Sequence, residues 1–241
     1  HLGGIGLYFN QNDLQLKKSE NISDTAIVLS RYLDGIMIRT FDHQDVVDLA
    51  KYGSIPVING LTDLHHPCQV LTDLYTVYEK RRTLRGLKLA YIGDGNNMAH
   101  SLLHGCSKVG MDIVIASPSG YMPLKEVVEE SKVNADYMGS KIEITDDPVA
   151  AVKNADIIYT DVWASMGQEK EALERKKQFM KFQVNPELVK GAKSDYLFMH
   201  CLPAHRGEEV VNEVIDSSNS IVFDEAENRL HVQKAIMALV M

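Results

Sequence analysis

The sequence predicts an α/β protein made of two doubly wound, parallel-sheet domains. Three observations carry that expectation. Strand-like and helix-like segments alternate along nearly all of the 241 residues. The strand-like segments, such as "LKLAYIGDG" and "DIIYTDV", are continuous apolar runs, as expected of parallel strands covered by helices on both faces. The charged stretch at residues 81–86, ending in glycine, breaks the composition, and the length allows one large domain or two small ones.

Taken in order, "GLYF" (residues 6–9) reads as the first strand. A helix follows over about residues 23–33, with Ile22, Ala26, Leu29 and Leu33 on one face. "GIMIRT" is the next strand. The helix after it starts at Asp42, an N-cap, and stops at Gly53. "IPVING" is a third strand. In "LHHPCQVLTDLYTVYEKRR", Pro67 fits the first turn of a helix, and Leu71, Leu74 and Tyr78 form its apolar stripe. This helix joins the two domains. "LKLAYIGDG" is then a strand with a glycine-rich exit, and the helix from Asn97 to Val109 ends at Gly110. "DIVIAS" is a strand. "KIEIT" and "DIIYTDV" are strands around a short helix opened by Asp147 and Pro148. "YLFMHCLP" and "SIVFDEA" complete the set.

Composition excludes several classes. The net charge of −8 is spread over interspersed acids and bases, which argues against a nucleic-acid or anionic-membrane partner. No apolar run approaches the roughly 20 residues of a membrane span, and no signal-peptide pattern is present. Cys68, Cys106 and Cys201 have no CxxC spacing, so neither a disulfide framework nor a zinc ribbon is expected, and a reducing cytosol is the natural compartment. His1, Leu2 and Gly3 read like the tail of a helix without an initiator methionine, so further chain is expected upstream.

In doubly wound folds ligands sit beyond the carboxyl ends of the strands. Arg39, His66, Asn97, Asp161 and Cys201 all fall there. Each has a structural reading beside the functional one. "GDGNNMAH" resembles a dinucleotide fingerprint, but Met98 stands at the third glycine position and "DIVIAS" ends in Ser117-Pro118 with no acid for a ribose hydroxyl. A tight turn needing small residues, or an amide offered to a small ligand by Asn96 or Asn97, are the other readings. "HHPCQ" puts His66 and Gln69 at a helix N-terminus, which favours anions, although a histidine there also serves as a cap. Arg39 closes an apparently buried strand, as a structural ion pair or as a phosphate or carboxylate clamp. Asp161 stands at a strand tip before the "SMG" loop, as a turn aspartate or as the receiver of an ammonium group. In "HCLPAHRG" Cys201 is either a packed thiol or a nucleophile with His200 or His205 as base, but strand neighbours face opposite ways, so His200 would not easily reach the thiol. Arg229 in "AENR" is a surface charge or a second anion ligand.

The order of the motifs is more informative than any one of them. "MIRTF", "HPCQ", "GDGNN", "DVWASMG", "HCLPA.RG" and "FDEAENR" together closely resemble the ornithine carbamoyltransferases, over essentially the whole chain. Aspartate carbamoyltransferases share the general plan and an "HP.Q" segment but lack "SMG" and "HCLP". Putrescine carbamoyltransferases differ in the loop after the corresponding aspartate.

The resemblance implies a carbamoyl-phosphate-binding domain over residues 1–67, incomplete at its N-terminus, and an ornithine-binding domain over residues 68–224. A helix at residues 225–241 would pack back on the first domain. It implies transfer of the carbamoyl group to the side-chain amine of L-ornithine, with no metal or organic cofactor. Arg39, His66, Gln69 and Arg229 would hold carbamoyl phosphate, and the backbone of Cys201 and Leu202 would orient its amide. Asn97, Asp161, Ser165 and Met166 would hold ornithine. Arg39, His66 and Cys201 would be the catalytic residues. The family's Ser-x-Arg-Thr phosphate loop matches no tetrapeptide in the chain and is expected upstream of His1. A homotrimer, or a multiple of trimers, is implied as well. The alternatives are carbamoyl transfer to a related amine such as putrescine, or a nicotinamide-dependent dehydrogenase built on "GDGNN".

Overall fold

A computed structural model of the chain describes residues 1–10, 20–164 and 172–241. The chain divides into two compact units, His1–Cys68 with Leu230–Met241, and Gln69–Arg229.

The first unit is a parallel β-α-β arrangement with a helix before it. Asn21 caps α1 (Ile22–Leu29), which buries Thr25 and Ala26. The helix closes at Ser30, whose hydroxyl reaches the Ala26 carbonyl at 2.7 Å, and tighter i+3 turns from Arg31 to Val28 and from Tyr32 to Leu29 follow, so it stops short of Leu33. β1 (Ile36–Arg39) pairs in parallel with β2 (Val57–Leu61). α2 (His43–Tyr52) lies between them in sequence, capped by Asp42 and closed at Gly53 as expected. The expectation of a strand covered on both faces fails here. Met37 and Arg39 are exposed while Ile36 and Ile38 are half-buried. "GLYF" is not a strand either. Leu7, Tyr8 and Phe9 are exposed, and among the described residues this run has no ladder partner; an apolar run becomes a strand only where such a partner exists. The C-terminal residue packs on this unit, since a Cβ added at Gly35 would lie 3.0 Å from the Met241 side chain.

The second unit holds a five-stranded parallel sheet in the order β5-β4-β3-β6-β7. Its strands are β3 (Lys88–Ile92), β4 (Asp112–Ala116), β5 (Ile142–Thr145), β6 (Ile157–Thr160) and β7 (Leu197–His200). The chain starts in the middle, winds outward through β4 and β5, then returns to lay β6 and β7 on the other side of β3. The expected doubly wound sheet is therefore present, with its reversal point at the carboxyl ends of β3 and β6. β6 and β7 are buried along their full length, which is why their sequences read as unbroken apolar runs. Helices α4 (Asn97–Val109), α5 (Lys125–Met138), α6 (Pro148–Val152), α7 (Ala172–Phe179), α8 (Pro186–Val189) and α9 (Asn212–Ile215) make the connections.

Two expectations are corrected. "SIVFDEA" is not a strand. Ser220 makes only an isolated bridge to Phe198, and α10 (Val222–Val240) begins two residues later. Its first turn buries Val222 and Glu225 while Phe223 stays 70% exposed, a helical and not a strand pattern. The long helix α3 (Pro67–Arg81) exists as expected, but its stripe is elsewhere. Leu71 and Tyr78 are 49% and 48% exposed, and the helix buries Val70, Leu74 and Val77 together with Gln69, Asp73 and Thr76. Its inner face is rich in polar groups that are hydrogen-bonded to one another, so hydropathy alone points to the wrong side.

Candidate active site

In the second unit the site residues gather at the ends of β3, β6 and β7. Asp161 follows β6 and is buried. Three donors converge on its carboxylate. The Cys201 thiol reaches Oδ1 at 3.1 Å, the Val162 N–H reaches Oδ1 at 2.8 Å, and the Asn96 amide reaches Oδ2 at 2.9 Å. Asn96 also accepts from the Met98 N–H at 2.9 Å, from the Ala99 N–H at 3.3 Å and from the Tyr91 hydroxyl at 3.2 Å. It is thus the N-cap of α4 and the support of Asp161 at once. Asn97 is the next residue, half-buried at the first position of the helix.

Burial and the neighbouring Asp161 carboxylate push the Cys201 thiol well above the usual thiol range. A protonated thiol donating to a carboxylate is a poor nucleophile, so this geometry speaks for an orienting role. One His200 ring nitrogen lies within 4.8 Å of the Cys201 thiol, closer than strand alternation suggests, but both ring nitrogens are hydrogen-bonded elsewhere. His200 Nδ1 accepts from the Leu202 N–H at 2.9 Å, which places the ring proton on Nε2, 3.2 Å from the buried Glu209 carboxylate. Leu202 sits at φ +53° and is followed by a cis peptide to Pro203.

A second cluster lies deeper. Gln69 on α3 donates from Nε2 to Asp73 Oδ1 at 2.8 Å and to Glu225 Oε1 at 2.9 Å. Its Oε1 accepts from Arg229. Glu225 on α10 also accepts from the Tyr159 hydroxyl at 3.2 Å and from the His200 N–H at 3.1 Å. Burial pushes the Asp73 carboxyl up to about 7, and burial together with Asp73 raises Glu225 well above the ordinary carboxyl range.

In the first unit, the turn before α3 is closed by the Thr62 N–H on the His65 carbonyl at 2.8 Å and by the His65 N–H on the Thr62 hydroxyl at 3.1 Å. This turn places His66, which is buried, directly before the helix. Arg39 ends β1 where the register slips, opposite Leu61, and is exposed. The reading of Arg39 as an arginine closing a buried strand is corrected accordingly. Ser165 and Met166 lie outside the described residues.

Among the described residues, Asp161, His200 and Cys201 bring possible ligand atoms within 4.8 Å of one another, and so do His205, Glu208 and Glu209. In the first set the donors are committed to hydrogen bonds, Cys201 to Asp161 and His200 to Leu202 and Glu209.

Several residues of these clusters carry no motif. Arg175 pairs with buried Asp94, holds the Trp163 carbonyl at 2.6 Å through Nε and lies 4.7 Å over the Tyr121 ring. In the sequence it is hidden among charged neighbours in "ALERKKQF". Asp73, Tyr159 and Glu225 read as ordinary helix or strand residues. The glycines of "GDGNN" serve the fold: a Cβ at Gly95 would meet the Pro123 nitrogen at 2.2 Å, so the turn needs glycine for a close backbone approach.

The profile described as "Aspartate/ornithine carbamoyltransferase, carbamoyl-P binding domain" matches residues 1–79, and "Aspartate/ornithine carbamoyltransferase, Asp/Orn binding domain" matches residues 85–240. The chain belongs to the aspartate/ornithine carbamoyltransferase family. Within it, the ornithine carbamoyltransferase of Thermococcus kodakarensis is 64% identical over 100% of this chain and 76% of the relative's length. The protein of Pyrococcus furiosus named "Ornithine carbamoyltransferase, anabolic" is 61% identical over 100% and 76% of the two lengths. A solved structure of ornithine carbamoyltransferase from Pyrococcus furiosus superposes with a TM-score of 0.97 at 61% identity, covering 100% of this chain and 77% of that one. The structure from Thermus thermophilus, at 38% identity, gives 0.88 over 100% and 78%.

Proposed function

We propose that this carbamoyltransferase moves the carbamoyl group of carbamoyl phosphate to the side-chain amine of L-ornithine, giving L-citrulline and phosphate in the synthesis of arginine. The observation that carries the reading is the Asp161–Cys201–Asn96 constellation at the strand tips, in a chain 64% identical to a relative named for that reaction.

The roles follow from chemistry. Carbamoyl phosphate is a dianion with a polarisable carbonyl, and Arg39, His66, Gln69 and Arg229 supply donors for its oxygens and a partner for its amide. Fixed donors aimed at developing negative charge are the strongest electrostatic contribution available to such a transfer. Arginine's planar fork of N–H groups suits Arg39 to bridge phosphate and carbonyl oxygens. The backbone of Cys201 and Leu202, held in register by His200, orients the carbamoyl amide. Asp161, with Asn97, Ser165 and Met166, receives ornithine. The attacking amine must be neutral, and Cys201, protonated beside Asp161, orients that amine without forming a covalent intermediate. Proximity is sufficient for a carbonyl already activated by its phosphate. Assembly as a trimer or a multiple of trimers, and residence in the cytosol, belong to the same reading.

The test is citrulline formation and phosphate release from carbamoyl phosphate with ornithine, repeated with putrescine in its place. Turnover with ornithine and none with putrescine is expected; preference for putrescine would overturn the assignment of the amine.

A further inference from the structure

The Gln69 amide is surrounded on both ends. Its two N–H groups are taken by Asp73 Oδ1 at 2.8 Å and Glu225 Oε1 at 2.9 Å, and one lone pair of its oxygen takes an N–H from Arg229. The opposite orientation would set the amide nitrogen against the Arg229 guanidinium and the amide oxygen against two carboxyl oxygens. That arrangement places donor on donor and acceptor on acceptor, so the surroundings permit one orientation only. The remaining capacity of the side chain is the second lone pair of Oε1. Gln69 can therefore accept from a ligand but not donate to it.

Glu225 does more than hold Gln69. Its other oxygen takes the His200 N–H at 3.1 Å, and Tyr159 anchors it from β6 at 3.2 Å. One buried carboxyl thus ties the Gln69 side chain to the backbone that leads into Cys201 and Leu202. We propose that Glu225, with Asp73, is a positioning residue for carbamoyl recognition: it locks Gln69 as an acceptor, in register with the β7 exit, so that the site reads the N–H₂ of the carbamoyl group. This rests on the carbamoyl-transfer reading above. The raised carboxyl of Asp73 fits the arrangement. Among the described residues Asp73 Oδ2 has no hydrogen-bond partner within 3.5 Å, so a proton there leaves Oδ1 an acceptor for Gln69.

Acetyl phosphate is the discriminating probe, because a methyl group replaces the N–H₂ and everything else is nearly the same. Wild-type protein is expected to form citrulline and to bind carbamoyl phosphate more tightly than acetyl phosphate. Glu225→Gln presents an N–H₂ where Gln69 or His200 needs an acceptor, and so releases the lock. Carbamoyl phosphate binding should fall about tenfold, acetyl phosphate binding should change little, and the ratio between them should collapse. Asp73→Asn, which keeps an oxygen for Gln69, should preserve the ratio within about twofold. An equal loss for both ligands in Glu225→Gln would mean general structural damage and overturn the proposal. A wild-type protein that makes no citrulline would overturn the functional reading and this inference together, whereas normal wild-type turnover with an unchanged ratio in Glu225→Gln would overturn the inference alone. Should Glu225→Gln not fold, the wild-type protein still decides. The Gln69 side-chain N–H₂ resonances, assigned by their loss in Gln69→Glu, should exchange slowly with solvent, and fast exchange would exclude the lock.

Discussion

The second unit contains two buried acidic clusters with opposite construction. At the strand tips one carboxylate, Asp161, collects three donors, while Asp94 close by has its own counter-charge in Arg175. Between α3 and α10 two carboxyls, Asp73 and Glu225, share a single amide and are both pushed towards their protonated forms by burial. Each cluster also has one arginine. Arg175 is buried inside the first and Arg229 is half-exposed at the edge of the second. A buried cation holds architecture together, and on the reading proposed above the cation at the edge is the one that meets an anion. On that reading the same residue types separate into a frame and a grip according to how much water they keep.

The largest effect should come from the frame. Arg175→Ala leaves Asp94 buried without its counter-charge and frees the Trp163 carbonyl. Breaking a buried pair in this way costs about 3–5 kcal/mol, a loss of about 6–20 °C in Tm for a unit of this size. Arg229→Ala should cost only about 1 kcal/mol of stability while weakening carbamoyl phosphate binding. Thermal melting and calorimetry on the two variants would check this. Equal destabilisation by both would erase the distinction between frame and grip.

Asp161→Asn is the next largest. Removing one charge-assisted contact with an ammonium group should cost ornithine about 1.5–3 kcal/mol of binding, with carbamoyl phosphate affinity nearly unchanged. Calorimetry with each substrate separates the two, and parallel losses would reject Asp161 as the ornithine carboxylate.

How much of this the sequence reveals depends on where the information is stored. Asp161 and Cys201 are legible because each ends a continuous apolar run, and a polar residue at the tip of a buried strand stands out. Gln69 is legible from its place after Pro67 at a helix start. Asp73 and Glu225 are not, because their partners are brought together by tertiary packing. Gln69 and Glu225 meet across 156 positions of chain. Asp73 sits on a helix whose exposed side carries Leu71 and Tyr78, so hydropathy turns the helix the wrong way. "SIVFDEA" misleads for a related reason: Ile221, Val222 and Phe223 have strand propensity, and the packing of Val222 and Glu225 overrides it. The doubly wound sheet is legible because strands such as β6 and β7, buried along their length, read as continuous apolar runs between helices. "GLYF" has the same composition without a pairing partner among the described residues, and composition cannot report a missing neighbour.

The buried pair should also show itself in the pH dependence of stability. Asp73 ionises at about 7 in the fold against 3.8 for the free side chain, because burial disfavours its charge. Between those values the folded chain keeps a proton that the unfolded chain has released. Stability is therefore fully present below the unfolded value, falls as pH rises through the window, and levels off above the folded value. The slope is at most about 1.4 kcal/mol per pH unit for this one group, and Glu225, shifted the same way, adds to it. Asp73→Asn removes one titrating group from the pair, so the fall in Tm from about pH 5 to about pH 8 should be shallower than in wild type. An unchanged slope would mean that the pair binds no extra proton in the fold.

The smallest effect tests whether the thiol at the strand tips belongs to the grip. On the reading proposed above, Cys201 serves carbamoyl recognition through its backbone, which a serine leaves in place; its S–H reaches Asp161 at 3.1 Å. Serine is a stronger and shorter donor than the thiol. Cys201→Ser should therefore hold Asp161 more tightly and compete with the incoming amine, while the β7 exit stays where Glu225 and His200 fix it. Carbamoyl phosphate affinity should stay within about twofold of wild type, and kcat should fall on the order of tenfold, about 1.4 kcal/mol in the barrier. Steady-state kinetics across pH together with direct titration of carbamoyl phosphate distinguish the outcomes. Wild-type turnover at every pH would make the thiol a packing residue. Loss of carbamoyl phosphate binding would place its side chain in the cluster that reads the carbamoyl group, and the separation between the two acidic clusters would then be drawn in the wrong place.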